Sequence, residues 1–219
     1  MNEVMESAML QNLLISSTYN AIEGLTITVE NRSHIMLGPT KITANLLESE
    51  TCIFSTSIQT LNSGQRVQLQ APIDDVVGPV KGFIELQCIS PGTQQQLTKR
   101  TSFRVIYFQR GRFQAVPKGD EDVFASFEVS VVSNKPSLTR VREILNLSPI
   151  QGILTAEKGR YRFEPAVQRN SDTVFYISVK EGGGVDLEDQ VIVSAAGSAS
   201  TIEERRRQCQ EMINEIQIN

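Results

Sequence analysis

The stretch Leu25-Thr26-Ile27-Thr28-Val29 alternates apolar residues with threonine without a break. Such an alternation places one row of side chains on a buried face of a sheet and the other row in water. The same rhythm returns about every dozen residues as far as Phe108, with turn-forming clusters such as Gly38-Pro39 and Asn62-Ser63-Gly64 in between. The segment from Tyr19 to Phe108 therefore predicts a β-only unit.

Further alternating sets support this interpretation. They are Ile42, Ala44 and Leu46; Cys52, Phe54 and Thr56, with Ile53 in the opposite phase; Val67, Leu69 and Ala71; Ile84, Leu86 and Cys88; and Phe103, Val105 and Tyr107. Regularly spaced short strands are typical of a β-sandwich, and we assign residues 17–117 to one. Cys52 and Cys88 lie in apolar phases, so we expect both to be small buried residues.

The hydrophobic rhythm changes after a polar segment, Gly111–Asp122, which predicts a boundary and a connector. Helices are predicted over Ser137–Leu147 and Ile202–Ile216, the second capped by Ser200 or Thr201. Strands are predicted at Phe124–Val132, Ile150–Ala156, Tyr161–Val167, Val174–Val179 and Gln190–Ala195. A mixture of antiparallel strands and helices predicts an α+β unit over residues 118–219.

The first residues carry methionine and leucine at helical spacing, from Met1 through Met5 and Met9 to Leu13. We therefore predict a helix over residues 1–16. It has two possible roles: the end of a longer coiled-coil helix, or a terminal helix folded onto the β-unit. The first role makes Met5 and Leu13 candidate partner-binding residues.

Composition restricts the function. The 219 residues carry 21 basic and 25 acidic side chains, a net charge of −4, which argues against direct nucleic-acid binding. Three widely spaced cysteines without a CxxC pattern predict neither a disulfide framework nor a zinc site. Glu3 and Glu6 stand where a signal peptide needs positive charge, and no apolar run is long enough for a membrane span. A nuclear or cytoplasmic protein that is not secreted is expected.

The sequence offers no group that predicts catalysis. Its single histidine, His34, lies in a predicted turn. The glycines Gly182-Gly183-Gly184 precede acidic residues rather than a basic helix start, which does not suit phosphate. The acidic runs Asp74-Asp75 and Asp120-Glu121-Asp122 lack calcium-loop spacing. We therefore predict no catalytic, cofactor or metal site, no small-molecule substrate and no enzymatic activity. A small hydrolase would need a polar set that this sequence does not provide.

Candidate partner-binding residues lie in the second half. On the strand Val174–Val179, the apolar Phe175, Ile177 and Val179 are expected to meet the helices. Tyr176 and Lys180 are then predicted to lie on the opposite face. That face is either open, where the two residues suit a protein partner, or covered within the chain. Arg205 and Arg206 begin a basic run near the start of the final helix, where the helix dipole does not favour cations. They are either ordinary surface charge or a site for an acidic partner.

The order of a short helix, a β-sandwich and an α+β unit closed by a helix resembles that of adaptin appendages. It is also similar to the C-terminal part of Bardet–Biedl complex subunits and of related Fanconi anaemia core-complex proteins. The segments that carry the resemblance are Met1–Met5 leading to Leu13-Leu14, Val80–Ile89, Tyr176–Glu181, Val191–Ser194 and Ile202–Ile216. The resemblance implies an ear-like, immunoglobulin-like sandwich followed by a platform domain. It differs from adaptin platforms in having no tryptophan for a peptide pocket.

Members of the Fanconi group are non-enzymatic scaffolds that support a ubiquitin ligase in DNA crosslink repair. The resemblance therefore implies a structural subunit whose partners are the other subunits of a multiprotein complex. The alternative is a trafficking appendage, of adaptin or Bardet–Biedl type, that binds peptide motifs of partner proteins. A β-propeller upstream in the parent chain favours the first alternative or a Bardet–Biedl subunit, and a helical solenoid favours an adaptin.

Overall fold

The computed structural model describes residues 3–21, 23–73, 79–116, 129–134, 136–145, 159–166, 173–180, 190–197 and 201–217. The chain divides into two compact units, Met1–Val105 and Ile106–Asn219. This division precedes the predicted boundary between residues 117 and 118. The reason is the strand Gly111–Ala115, which pairs with Arg160–Pro165 in the second unit.

The described residues of the first unit form one helix and two antiparallel sheets. Its elements are α1 (Glu3–Gln11), β1 (Leu13–Asn20), β2 (Gly24–Asn31), β3 (Thr40–Leu46), β4 (Cys52–Ile58), β5 (Arg66–Ala71), β6 (Val80–Ile89) and β7 (Gln96–Val105). One sheet has the order β1-β2-β5 and the other has the order β4-β3-β6-β7. The β-rich character predicted for this half is confirmed.

Both sheets contribute to a single hydrophobic cluster. Leu25, Ile27 and Val29 of β2 are buried, as their alternation predicts. The buried residues of the other sheet include Ile42 and Ala44 of β3, and Ile84, Leu86 and Cys88 of β6. The cluster holds the two sheets together, because removing this apolar area from water stabilises by about 25 cal/mol per Å².

The prediction that Cys52 is buried is wrong, because a β-bulge reverses its side. The register between β3 and β4 shifts between Ala44 and Asn45, so that Ala44 pairs with Phe54 and Asn45 with Cys52. Ile53 is the extra residue of the bulge. Cys52 consequently lies on the outer face and is exposed, whereas Cys88 is buried as expected.

The predicted helix over residues 1–16 is too long. The helix ends at Gln11, and Leu13–Asn20 is a strand that pairs with β2 along its whole length. The residues Ile15-Ser16-Ser17-Thr18-Tyr19 favour a strand over a helix, since β-branched and aromatic side chains fit a pleated surface. Leu13 is completely buried in the core of the first unit. Its predicted role in partner binding is therefore wrong.

Helix α1 is attached to its own unit by polar contacts, as in the second of its two predicted roles. The buried Glu6 carboxylate accepts hydrogen bonds from the hydroxyl groups of Ser90 and Thr93, the latter at 2.6 Å. At the other end of the helix, Lys99 Nζ donates to the carbonyl oxygens of Leu10, at 2.6 Å, and Leu13. Met5 remains 54% exposed.

In its described residues, the second unit contains a five-stranded antiparallel sheet with the strand order β8-β10-β11-β12-β9. After a 3₁₀ turn (Tyr107–Gln109), its elements are β8 (Gly111–Ala115), β9 (Val129–Ser133), α2 (Leu138–Leu145), β10 (Arg160–Pro165), β11 (Val174–Lys180), β12 (Gln190–Ala196) and α3 (Ile202–Gln217). The strand predicted at Ile150–Ala156 and the start of that at Phe124–Val132 lie outside the described residues.

One face of this sheet is covered by α2 and α3, the helices found among the described residues of the unit. Phe175, Ile177 and Val179 of β11 belong to the same hydrophobic cluster as residues of both helices, which confirms the predicted orientation. The helix residues in the cluster are Val141, Ile144 and Leu145 of α2, and Cys209, Ile213 and Ile216 of α3. Thr201 caps α3, since its hydroxyl oxygen accepts the Glu204 amide hydrogen bond at 3.2 Å.

None of the helices in the described part of the chain is long and apolar enough to cross a membrane.

Candidate partner-binding site

The face of the second-unit sheet opposite the helices carries a row of polar side chains beside the apolar Val132, Ile192 and Val174. The strand registers place Gln114, Arg162, Tyr176, Ser194 and Ser130 in one row that crosses all five strands. The Oγ atoms of Ser130 and Ser194 are 2.9 Å apart, within hydrogen-bonding distance. We call this surface the polar face. It exists because residues of the opposite parity along each strand supply the apolar side.

Positive charge dominates the polar face in the described residues. Arg112, Arg160, Arg162 and Lys180 lie on it, together with the single carboxylate of Glu164. Glu164 Oε2 is 2.9 Å from Arg112 Nε, and its Oε1 is 3.7 Å from Arg162 Nη2. The side chains of Arg112 and Arg162 are 76% and 45% exposed. An acidic surface would therefore find several cations directed toward solvent.

Tyr176 is not on open surface, and this part of the prediction is wrong. Only 1% of the residue is exposed, and the guanidinium carbon of Arg160 lies 4.0 Å from the ring centroid. Tyr176 occupies the central strand, with Arg162 and Ser194 beside it in register. The long side chain of Arg160, diagonal to Tyr176, reaches over the ring and forms a cation–π contact. Lys180, at the end of the strand, is exposed as predicted.

The two arginines predicted on α3 have different environments. Arg205 is only 3% exposed, its Nη1 donates to the carbonyl oxygen of Gly197, and its Nε lies 3.4 Å from that of Thr201. Arg205 therefore stabilises the junction between β12 and α3, and its predicted role in partner binding is wrong. Arg206 is exposed, so its role stays a prediction.

A groove of about 510 Å³ lies on the outer face of the β4-β3-β6-β7 sheet in the first unit. Its floor contains the Glu85 carboxylate, which accepts hydrogen bonds from Arg100 Nε and Gln87 Nε2. The Arg100 guanidinium lies 4.5 Å from the Phe83 ring centroid. The exposed Cys52 lies on its wall, and Lys41 and Glu50 also contribute to the lining. Acidic and basic groups are thus balanced in the groove.

The sequence indicates this groove through the residues that alternate with the buried ones of β6, which the apolar set alone does not reveal. Phe83, Glu85 and Gln87 form the reverse phase of the apolar set Ile84, Leu86 and Cys88. A phenylalanine on the outer row of a central strand is unusual, because large aromatic side chains favour burial. The parity of β6 therefore indicated a surface with specific contacts.

Catalytic chemistry finds no support among the described side chains. In that part of the chain, no three or more His, Cys, Asp or Glu residues are close enough to hold a metal ion. His34 is exposed in its turn. The runs Gly182–Gly184, Asp74-Asp75 and Asp120–Asp122 lie outside the described residues. The absence of enzymatic activity and of cofactors remains a prediction.

No protein-family model matches this chain, and no curated protein matches it significantly.

Proposed function

We propose that this chain is a non-enzymatic structural subunit, or part of one, in a multiprotein complex of the Fanconi anaemia core type. Such a complex supports a ubiquitin ligase in DNA crosslink repair, which would place the chain in the nucleus or cytoplasm. The observation that carries the proposal is the polar face, where Arg112, Arg162 and Lys180 are directed to solvent on a sheet whose other face is covered. Its natural partner is an acidic surface of another subunit.

We further propose that the first unit is an immunoglobulin-like or ear-like sandwich and that the second is the platform. The two sheets that share one cluster support the first assignment, and the helix-covered sheet supports the second. Two of the segments that carry the family resemblance coincide with elements of the fold: Val80–Ile89 is β6, and Ile202–Ile216 covers most of α3. We propose that these segments resemble those of the hundred-kilodalton Fanconi core-complex-associated protein.

The ion network on the polar face suits recognition of an acidic segment. Glu164 holds the guanidinium groups of Arg112 and Arg162 near each other, so two exposed cations lie side by side on the polar face. Exposed ion pairs contribute only about 0–1 kcal/mol each, so the network adds little to the stability of the fold. Its main effects are on the rate and the specificity of association, and these effects weaken as salt rises.

Reconstitution with Fanconi core-complex subunits tests the proposal. The double variant Arg112→Gln with Arg162→Gln removes two charges from the polar face. Its matched control, Arg32→Gln with Arg66→Gln, removes two exposed charges from the first unit, one of them paired with Glu30 at 3.1 Å. We expect only the first variant to reduce incorporation into the complex, most strongly at low salt. Failure of the wild-type chain to enter the complex would disprove the Fanconi assignment. Equal incorporation of both variants would exclude the polar face.

The groove of the first unit favours one other function, that of a trafficking appendage which captures peptide motifs. Its Phe83 ring and the balanced charges of Glu85 and Arg100 suit an extended peptide with both apolar and polar side chains. Titration of adaptin-type and Bardet–Biedl-type motif peptides against the chain, with Phe83→Ala as the groove variant, distinguishes the two functions. Binding that Phe83→Ala abolishes would support the appendage.

A further inference from the structure

We propose that two copies of this chain associate through strand β4, which would join their β4-β3-β6-β7 sheets into one continuous antiparallel sheet. The proposal does not depend on the function proposed above. Strand β4 is the terminal strand of its sheet, and in the described part of the chain it pairs only with β3. A terminal strand presents unpaired backbone N–H and C=O groups that a further strand can use.

The regular part of β4, Phe54–Ile58, lacks the features that normally prevent such pairing. Residues 51–60 contain no charged residue, no proline and no glycine. Soluble proteins commonly protect sheet edges with lysine, proline or a bulge. The bulge of β4 lies at its beginning, between its pairings with Ala44 and Asn45, so Phe54–Ile58 stays regular. By contrast, the opposite edge strand β7 carries Lys99, Arg100 and Arg104.

Another uncharged edge strand of the first unit, β1, is a poorer candidate. Lys99 Nζ already donates to the carbonyl oxygen of Leu13, at the start of that strand. Beyond Ile15, β1 continues with Ser16-Ser17-Thr18, which offers little apolar surface. Strand β4 instead presents Phe54 and Ile58, two half-buried residues that pack against the core of the unit.

The pattern of β4 is symmetric about Thr56, and this identifies the occupant as a second copy. Phe54, Thr56 and Ile58 pair with the buried row of β3, and Ser55 and Ser57 point outward and are exposed. The segment therefore reads apolar, serine, threonine, serine, apolar in both directions. An antiparallel copy centred on Thr56 places Phe54 opposite Ile58 of the second copy and Ser55 opposite Ser57 of the second copy. A two-fold axis repeats both matches.

Pairing in this register would extend the buried row across the junction. Phe54 and Ile58 would each gain an apolar neighbour on the same side of the sheet, and the serines would meet on the outer side. No like charges would face each other, because the strand has none. Because of this symmetry, a second copy of the chain can pair with the free edge of β4, and no strand from a different protein is required.

Sedimentation equilibrium on the full chain tests the proposal. We expect the mean mass to rise from that of one chain toward two as concentration increases. The variant Ser55→Lys with Ser57→Lys places like charges opposite each other and should weaken the dimer by at least about tenfold. The matched control, Thr98→Lys with Ser102→Lys, changes two exposed residues on the opposite edge strand and should leave the dimer intact.

A third variant tests the register. Ser55→Glu with Ser57→Lys places a glutamate opposite a lysine at both symmetric positions, so it should restore association to near the wild-type level. Thermal melts of all variants confirm that each remains folded. A monomeric wild-type chain, a dimer insensitive to Ser55→Lys with Ser57→Lys, or failure of the charge-paired variant to associate would each overturn the proposal. The proposal would also be overturned if the wild-type chain were monomeric and the variant Ser55→Lys with Ser57→Lys no longer bound another subunit of the complex. In that case the edge at β4 would pair with a strand of a different protein.

Discussion

The guanidinium group of Arg160 lies over the ring of Tyr176 at 4.0 Å, and the tyrosine beneath it is almost completely buried. The pair lies on the sheet face opposite the helices. Tyr176, whose position on the strand suits partner binding, therefore contributes to the stability of the fold instead. The cation above it, not the ring, is the half-exposed group.

Substitution of Tyr176 should consequently destabilise the protein. We expect Tyr176→Ala to lower the free energy of unfolding by about 3 kcal/mol, similar to Phe175→Ala on the other face, because each removes a buried aromatic ring. Lys180→Ala, on the same strand and the same face as Tyr176 but exposed, should change it by less than about 0.5 kcal/mol. Urea denaturation measures all three. A Tyr176→Ala protein as stable as the wild type would contradict the burial described here.

Gly82 should not tolerate a side chain. It pairs directly with Phe103, and a Cβ atom at Gly82 would lie 2.6 Å from the Phe103 ring and in collision with the Asn45 carbonyl oxygen. We expect Gly82→Ala to cost about 1–3 kcal/mol in unfolding free energy, the usual range for overpacking. Gly38→Ala is the matched control, since a Cβ there would meet nothing within 4 Å. An unchanged melting temperature for Gly82→Ala would refute this account.

Attachment of α1 should weaken in acid. The Ser90 hydroxyl, followed by the Thr93 hydroxyl, donates to the Glu6 carboxylate and holds the pKa of Glu6 below its ordinary value of 4.5. A carboxyl whose folded pKa is depressed stabilises the fold above its unfolded pKa and loses this effect as the pH falls through the folded value. The stability difference between wild type and Glu6→Gln should therefore be constant near neutrality and shrink below about pH 4.5.

The control for that experiment is Glu3→Gln, an exposed residue on the same helix. Denaturation series from pH 7 to pH 3 give the comparison. If the difference for Glu6→Gln did not change with pH, the hydrogen bonds from Ser90 and Thr93 would not be the origin of the stabilisation.

The neighbouring arginines of α3 should behave in opposite ways. Arg205→Met keeps the aliphatic stem but leaves the carbonyl oxygens of Gly197 and Thr201 without this donor, which should cost about 1–3 kcal/mol. Arg206→Met changes an exposed side chain and should stay within about 0.5 kcal/mol of the wild type. Differential scanning calorimetry distinguishes them. Comparable losses would mean that both arginines are structural, and no loss in either would contradict the contacts of Arg205.

The strands were largely predictable, because their apolar residues alternate where one face is buried. This rule alone predicts the burial of two sets of residues: Leu25, Ile27 and Val29 in the first unit, and Phe175, Ile177 and Val179 in the second. The exceptions have local causes. A one-residue bulge reverses Cys52, and no single-sequence pattern reports a bulge. Leu13 has an apolar spacing that suits either a helix or a strand, and only pairing with Asn31 decides between them.

The candidate site was less predictable than the fold. Strand parity correctly placed Lys180 on the polar face, but it could not show that Arg160 covers Tyr176. The side chain of Arg160 begins at the register position beside Ser178, and its reach across to the next row depends on tertiary structure. Arg205 presents the same difficulty, because helical spacing cannot tell an arginine that caps a nearby carbonyl from its exposed neighbour.

The contacts of α1 also determine when, during synthesis, the first unit can be completed. Glu6 is held by side chains that lie 84 and 87 residues later in the chain, and the lysine that binds the carbonyl oxygens of Leu10 and Leu13 follows them by 89 and 86 residues. The hairpin of β1 and β2 needs only local chain and can form as soon as it leaves the ribosome. Helix α1 must wait for β7, so a helix that precedes β1 and β2 in the chain reaches its native position after these strands can pair.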